Sequence, residues 1–143
     1  MLTNKATAGN LLDVRIILAV LWVAGMLSSL NGDTYRLSDP AVLKSSLANT
    51  GPMVATPALL LVMALLFVGS IFMSVLTLTL KPAVSRWANR SVGIFYALIT
   101  LAFEGLHLFV LHSTGYEIVW ATAQCVFAVL VVWYAWQWTN PEG

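Results

Sequence analysis

Residues 57–80 read PALLLVMALLFVGSIFMSVLTLTL, a run that contains no charged side chain. A bilayer core about 30 Å thick is crossed by about 20 apolar residues in a helix, since each residue advances the chain by about 1.5 Å. Lipid offers no water to satisfy the backbone, so a segment that crosses it must be helical. This stretch therefore predicts a membrane-spanning helix.

Three further apolar runs accompany this one, at residues 16–30, 92–111 and 118–138. A chain of 143 residues cannot bury four such runs in a soluble core. Charged residues make up 9% of the chain, against about 25% in an average soluble domain. We therefore predict an all-α fold, in which residues 1–143 form one integral membrane four-helix bundle with up-down-up-down topology.

Charge and cysteine content exclude several classes of function. A net charge of +1 provides no basic surface for nucleic acid. Cys125 is the only cysteine, so the chain has neither an intrachain disulfide nor a Cys-x-x-Cys redox pair. The sequence also lacks a Gly-x-Ser-x-Gly nucleophile motif and a glycine-rich phosphate loop. We predict no catalytic residue and no cofactor, and the balance favours a protein that is not an enzyme.

The basic residues predict the orientation in the membrane. Five lie in the N-terminal tail and the second connection, and two lie in the first connection. They are Lys5, Arg15, Lys81, Arg86 and Arg90 in the first group, and Arg36 and Lys44 in the second. Basic residues concentrate on the cytoplasmic side of membrane proteins. We therefore expect a bacterial cytoplasmic (inner) membrane protein with both termini in the cytoplasm.

The connections between the spans differ in kind. Asn31-Gly32-Asp33 has turn chemistry, and it is expected to end the first helix and begin a long first loop. Within that loop, Asp39 as N-cap and Pro40 at the first helical position predict a short helix over residues 41–48. Residues 112–117 are too few for more than a tight turn, so spans three and four should form an antiparallel hairpin.

Each predicted span carries one stripe of polar or small residues at helical spacing. On span three, Tyr96, Thr100, Glu104 and His107 fall within about 80° of one another. The stripes on the other spans are Arg15, Trp22, Ser29 and Asp33; Met63, Ser70, Ser74 and Thr77; and Glu117, Ala121, Gln124 and Ala128. Membrane helices pack through small residues and keep polar groups away from lipid. We therefore expect the four stripes to face one another.

One candidate site follows from the depth of these residues. Glu104 and Gln124 each lie about 10 Å inside the outer boundary of the bilayer, at 1.5 Å per residue. The candidate ligand or proton site comprises seven residues: Glu104, His107, Gln124, Thr100, Tyr96, Asp33 and Ser29.

Glu104 is the strongest candidate in this set. Placing a carboxylate inside a membrane costs a few kcal/mol of free energy unless the group is protonated or paired. His107, one turn away, is the expected partner, and such a pair can exchange a proton near neutral pH. The alternative is a structural hydrogen bond that fixes span three against span four through Gln124. Glu104-x-x-His107 has the spacing of di-iron bundles, but those require the motif twice, so no metal site is predicted.

Four short motifs are distributed along nearly the whole chain. They are Leu21-Trp22, Gly32-Asp33, Arg86-Trp87-x-Asn89 and Trp133-Tyr134-Ala135-Trp136-x-Trp138. Together they resemble an uncharacterised family of small bacterial four-span membrane proteins, a domain of unknown function. The architecture is also similar to that of DoxX-like proteins, some of which are linked to membrane redox complexes. The resemblance implies a four-helix membrane fold and no assigned activity. It also implies an acidic residue where this chain has Gln124, which weighs against a site of two carboxylates.

Three functional hypotheses remain, in order of preference. The first is an accessory or partner-binding subunit of a membrane assembly, with small-residue faces at Gly25-x-x-x-Ser29 and Gly93-x-x-x-Ala97. The second is a proton-coupled carrier or small-molecule binder, expected to form a homo-oligomer, that uses Glu104 and His107. The third is a membrane protein that binds, or an enzyme that acts on, a lipid or quinone.

Overall fold

The computed structural model describes residues 3–50, 54, 56–110 and 115–138, with side chains from Val14 onward. Within these residues the chain is helical and has no strand. The helices are α1 (Thr3–Ser38), α2 (Pro40–Leu47), α3 (Pro57–Thr79), α4 (Pro82–Phe109) and α5 (Tyr116–Gln137). All except α2 are long and apolar enough to cross a membrane. The predicted all-α four-helix membrane bundle is confirmed.

Three helix boundaries differ clearly from those predicted, the first being the start of α1 at Thr3 instead of residue 16. α1 continues through Asn31-Gly32-Asp33 to Ser38, so the predicted end of the first helix is wrong. Gly32 is needed for packing instead of a turn, because a Cβ there would lie 3.1 Å from the Cβ of Trp120 on α5. α4 begins at Pro82, well before the predicted residue 92, since its first turns bury polar side chains that hydropathy does not detect. Residues 111–114, with the predicted end of span three, lie outside the described residues.

The short helix in the first connection is confirmed. α2 begins at Pro40, and Asp39 is its N-cap, with Oδ1 accepting a hydrogen bond from the Ala41 backbone nitrogen at 2.9 Å. The proline supplies a backbone already suited to a first helical turn. No residue of α2 is buried, so this helix lies at the surface of the bundle.

Asn89 joins three helices where α3 is connected to α4. It is fully buried, with 0% of its surface exposed. Its Oδ1 accepts a hydrogen bond from Trp22 Nε1 of α1 at 2.8 Å, and its Nδ2 donates to Thr77 Oγ1 of α3 at 2.9 Å and to the Ser85 carbonyl at 2.8 Å. Both polar atoms of the amide therefore have partners, as burial requires. We call this region, defined by Trp22, Thr77, Ser85 and Asn89, the closed end.

Two arginines satisfy helix carbonyls at the same end. Arg15 Nε donates to the Thr77 carbonyl at 2.8 Å, and its Nη2 donates to the Leu80 carbonyl at 2.7 Å. Arg90 Nε donates to the Ala135 carbonyl at 2.9 Å. The last carbonyls of a helix have no donor within the helix, and a cation there also complements the negative end of the helix dipole. Arg15 and Arg90 thus stabilise the ends of α3 and α5.

The four long helices do not close into a complete ring. α1 packs on α3 and α5, and α5 packs on α4, whereas α3 and α4 contact each other little although they are consecutive in the chain. A gap therefore lies between α3 and α4 away from the closed end. The opposite end of the bundle, which we call the open end, carries the last turns of α1 and α4 and the first turns of α3 and α5.

The contacts of the closed end can be tested by making the same substitution at two positions of α3. Thr77 is fully buried and bonded to Asn89, whereas the exposed Thr79 bonds only the Val75 carbonyl of its own helix. Thr77→Val should lower the free energy of unfolding by about 1–2 kcal/mol, because the buried Asn89 amide loses a partner. Thr79→Val should have almost no effect. Thermal unfolding in mild detergent measures both, and equal effects would contradict the role given to Asn89.

Candidate ligand-binding cavity

A cavity of about 420 Å³ lies inside the bundle, between the closed end and the open end. All four long helices contribute to its wall. Trp22, Tyr96 and Val131 line the part nearest the closed end, and Asp33 and Glu117 line the part at the open end. Its volume falls within the range of about 300–1,000 Å³ that small-molecule sites occupy.

The wall of the cavity is mostly apolar and rich in aromatic rings. Six aromatic side chains line it, from all four long helices: Trp22, Phe67, Tyr96, Phe103, Trp120 and Phe127. Small-molecule sites typically combine such a wall with a few polar groups that fix the orientation of the ligand. Here Ser29, Thr100 and Gln124 supply hydrogen-bonding groups part-way along the wall.

Part of the cavity wall is exposed at the gap between α3 and α4. Leu60 of α3 lines the cavity although 58% of its surface is exposed on the outside of the bundle. Met63 of α3 and Phe103 of α4 also line the cavity and are half-buried. Exposed and half-buried side chains of α3 and α4 therefore belong to the cavity wall at this gap.

The structure brings six of the seven predicted site residues to this one wall. They are Ser29, Asp33, Tyr96, Thr100, His107 and Gln124. The prediction and the cavity wall agree because the polar stripes of the helices are directed mainly toward the centre of the bundle. A role for these side chains in binding a ligand or a proton stays a prediction.

Glu104 is the exception, because it does not line the cavity. Its Oε1 accepts a hydrogen bond from Thr122 Oγ1 of α5 at 2.9 Å. Its Oε2 is buried and has no hydrogen-bond partner among the described residues. At 100° per residue Glu104 lies about 40° further round α4 than Thr100, which turns it from the cavity toward α5. A ligand in this cavity would therefore not meet Glu104, the strongest candidate among the predicted site residues.

Tyr96 connects α4 to α3 beside the cavity. Its hydroxyl donates a hydrogen bond to the Leu66 carbonyl of α3. Its ring stands edge-on to Trp22, with the ring centroids 5.0 Å apart. Gly69 allows this approach, because a Cβ there would lie 2.6 Å from the tyrosine hydroxyl oxygen. Tyr96 therefore limits how far α3 and α4 separate.

Arg36 is a cavity residue that the sequence reasoning missed. Its Nε lies 3.5 Å from Glu117 Oε1, and its Nη1 lies 3.9 Å from Asp33 Oδ1. The first contact joins α1 to α5, and all three side chains line the cavity at the open end. The expected helix end at Asn31-Gly32-Asp33 placed Arg36 in a loop. The spacing of Asp33 and Arg36 by three residues was the signal that could have found the pair.

Among the described residues, no group of three or more His, Cys, Asp or Glu side chains could hold a metal ion. Cys125 is a buried free thiol on α5, and it does not line the cavity.

No family model matches this chain, and no curated protein or solved structure matches it either. The resemblance to DoxX-like and other four-span bacterial proteins therefore stays a prediction.

The contact of Tyr96 with α3 can be tested with two glycines. Gly69→Ala should displace the tyrosine hydroxyl from the Leu66 carbonyl and lower the free energy of unfolding by about 1 kcal/mol. Gly105→Ala is the control, because a Cβ there meets nothing within 4 Å, and it should leave the stability unchanged or raise it. Unfolding temperatures in detergent measure both changes.

A second substitution separates the tyrosine contact from a general loss of packing. If Gly69→Ala acts by displacing the tyrosine hydroxyl, it should lower the stability much less in a protein that already carries Tyr96→Phe than in the unaltered chain. Equal losses of stability in the Gly69→Ala variants with and without Tyr96→Phe would show that this contact is not the cause.

Proposed function

We propose that this chain is a multi-pass membrane protein that binds a small, lipid-soluble molecule in its central cavity. The observation that carries the proposal is the aromatic-lined cavity of about 420 Å³ between α3 and α4. A packed four-helix bundle ordinarily fills its centre with side chains. A space of this size, with a few polar groups on its wall, is the arrangement expected of a binding site.

The position of the gap supports entry from the bilayer. α3 and α4 contact each other little, and the exposed Leu60 belongs both to the cavity wall and to the outer surface. A hydrophobic molecule could pass between these helices without crossing an aqueous phase. The hydrogen-bonded closed end opposes onward passage along the bundle axis, so the arrangement favours a binding protein or carrier over an open channel.

The proposal does not depend on Glu104. The predicted proton-coupled carrier used Glu104 with His107, but of these two only His107 lines the cavity. His107, Thr100 and Gln124 are the polar groups that a bound molecule would meet in the outer half of the bundle. They can donate to or accept from an oxygen or nitrogen atom of a ligand.

The accessory-subunit hypothesis stays a prediction, and the small-residue faces that motivated it pack within the chain itself. A Cβ on Gly25 would lie 3.6 Å from the Cβ of Phe127, so this glycine packs against α5. Gly93 packs against Val131 of α5 in the same way, at 3.1 Å. Binding of a small molecule therefore has a more specific structural basis than binding of a partner chain.

We further propose that the protein lies in a bacterial cytoplasmic membrane with the closed end at the cytoplasmic side. Arg15 and Arg90 belong to this end, and Lys81 and Arg86 lie in or beside the connection between α3 and α4. Basic residues favour the cytoplasmic side, which would give the open end an external position.

Green fluorescent protein fused after residue 143 should then fluoresce, and alkaline phosphatase fused there should be inactive. The reverse pattern would overturn this orientation.

A substitution that fills the cavity tests the proposed function. Ala128 lines the cavity, whereas Val126, on the same helix, is exposed on the outside. Ala128→Phe should remove a bound molecule by occupying its space, and Val126→Phe should retain it. The measurement is mass spectrometry of the solvent extract of each purified protein, with empty lipid nanodiscs as background.

The expected result is a small lipophilic compound that is enriched with the unaltered chain and with Val126→Phe, and depleted with Ala128→Phe. Extracts of all three proteins that match the empty nanodiscs would contradict the proposal. Unfolding temperatures of the two variants should be compared, so that a misfolded Ala128→Phe protein is not mistaken for an empty one.

A further inference from the structure

We infer that the cavity selects lipophilic molecules with a single positive charge, such as hydrophobic amines or other lipophilic cations. This inference rests on the proposed function and names the chemical class of its ligand. It is carried by the charges at the open end of the cavity together with the aromatic rings of its wall. Each feature alone occurs in many proteins, but here both line the same space.

The charged groups of the cavity leave one carboxylate in excess. Asp33 and Glu117 line it together with a single guanidinium, that of Arg36. Arg36 lies closer to Glu117, at 3.5 Å, than to Asp33, at 3.9 Å. The Asp33 side chain is 53% exposed, and it is the carboxylate available to a further cation. The formal charges of the two carboxylates and the guanidinium sum to −1, which opposes entry of anions and favours a monocation.

The aromatic wall provides the second part of the selectivity. A cation is attracted to the face of an aromatic ring by about 0.5–2 kcal/mol, more when water is excluded. Trp22, Tyr96 and Trp120 are among the six aromatic residues of this wall, and they extend from the closed end to the open end. A cation whose charge is spread over several groups can leave the lipid interface at a modest cost in free energy. Inside the cavity it would then contact these rings. A phosphonium or a fully substituted ammonium ion with apolar substituents carries such a charge.

The experiment uses tetraphenylphosphonium as the cationic probe, triphenylphosphine oxide as a neutral probe and tetraphenylborate as an anion of nearly the same shape as the cation. The full chain is placed in lipid nanodiscs at constant pH and low ionic strength. Binding is measured by equilibrium dialysis, and the partition of each probe into empty nanodiscs is subtracted. The cation is expected to bind at least about fivefold more tightly than the neutral probe, and the anion least tightly.

Charge substitutions should shift cation binding in opposite directions. Asp33→Asn, which leaves the Arg36–Glu117 pair in place, should weaken tetraphenylphosphonium binding by about fivefold. Arg36→Gln should strengthen it by a similar factor, since it removes the competing cation. Asp39→Asn is the matched control, because this residue caps α2 and does not line the cavity, and asparagine also serves as an N-cap. Asp39→Asn should leave the binding of all three probes unchanged.

The outcomes separate this inference from the proposed function. Equal binding of the cation and the neutral probe, or cation binding unaffected by Asp33→Asn, would overturn the cation selectivity and leave a cavity that binds lipophilic molecules. The same holds if tetraphenylborate binds best. If none of the probes binds and Ala128→Phe releases no compound, both the inference and the proposed function fail.

Discussion

The Asn89 amide can be buried among membrane helices only if both of its polar atoms are hydrogen-bonded, and the rest of the structure depends on this constraint. Its partners belong to α1, α3 and α4, so satisfying them fixes three helices at one end. Arg15 and Arg90 reinforce that end through carbonyls of α3 and α5. In lipid, the gain from packing apolar helices together is small, because the lipid chains are equally apolar. Polar contacts and close packing therefore decide where the bundle closes.

The cavity follows from closing the bundle at only one end. α3 and α4 are held together by Asn89, and further along the bundle by the hydroxyl of Tyr96. Beyond these contacts the two helices separate, and aromatic side chains from all four long helices surround the remaining space. The ion pair of Arg36 and Glu117 joins α1 to α5 on the far side of the cavity, so the opening remains between α3 and α4. This geometry supports the proposal that the cavity binds a lipid-soluble molecule.

Much of the fold could be predicted from the sequence because hydropathy and helical spacing are local properties. The run at 57–80 indicated a span, and Asp39-Pro40 indicated the start of α2. The polar stripes placed residues such as Ser29 and Gln124 on one wall, because a membrane bundle directs its polar faces inward. The ends of the helices were harder to predict. A glycine such as Gly32 fits either a turn or a close helix contact, and here it contacts Trp120.

The roles of Asn89 and Glu104, and the contact of Arg36 with Glu117, could not be predicted from local patterns, because each depends on residues distant in the sequence. Asn89 looked like part of a polar connection, because its burial depends on partners distant in the sequence, at Trp22 and Thr77. Arg36 was assigned to a loop, and only the continuation of α1 brings it to Glu117. Glu104 shares the polar stripe of span three, but an offset of about 40° is enough to direct it to Thr122 of α5. Distinctions of this size depend on how the helices pack.

The most direct test of a lipid-accessible binding cavity is a crystal structure of the full chain grown from a lipidic mesophase that contains lipids of its own membrane. We expect electron density for a bound molecule between α3 and α4, beside Tyr96 and Gln124, with an opening to the lipid near Met63. A bundle in which α3 and α4 pack together and their side chains fill the space would contradict the account.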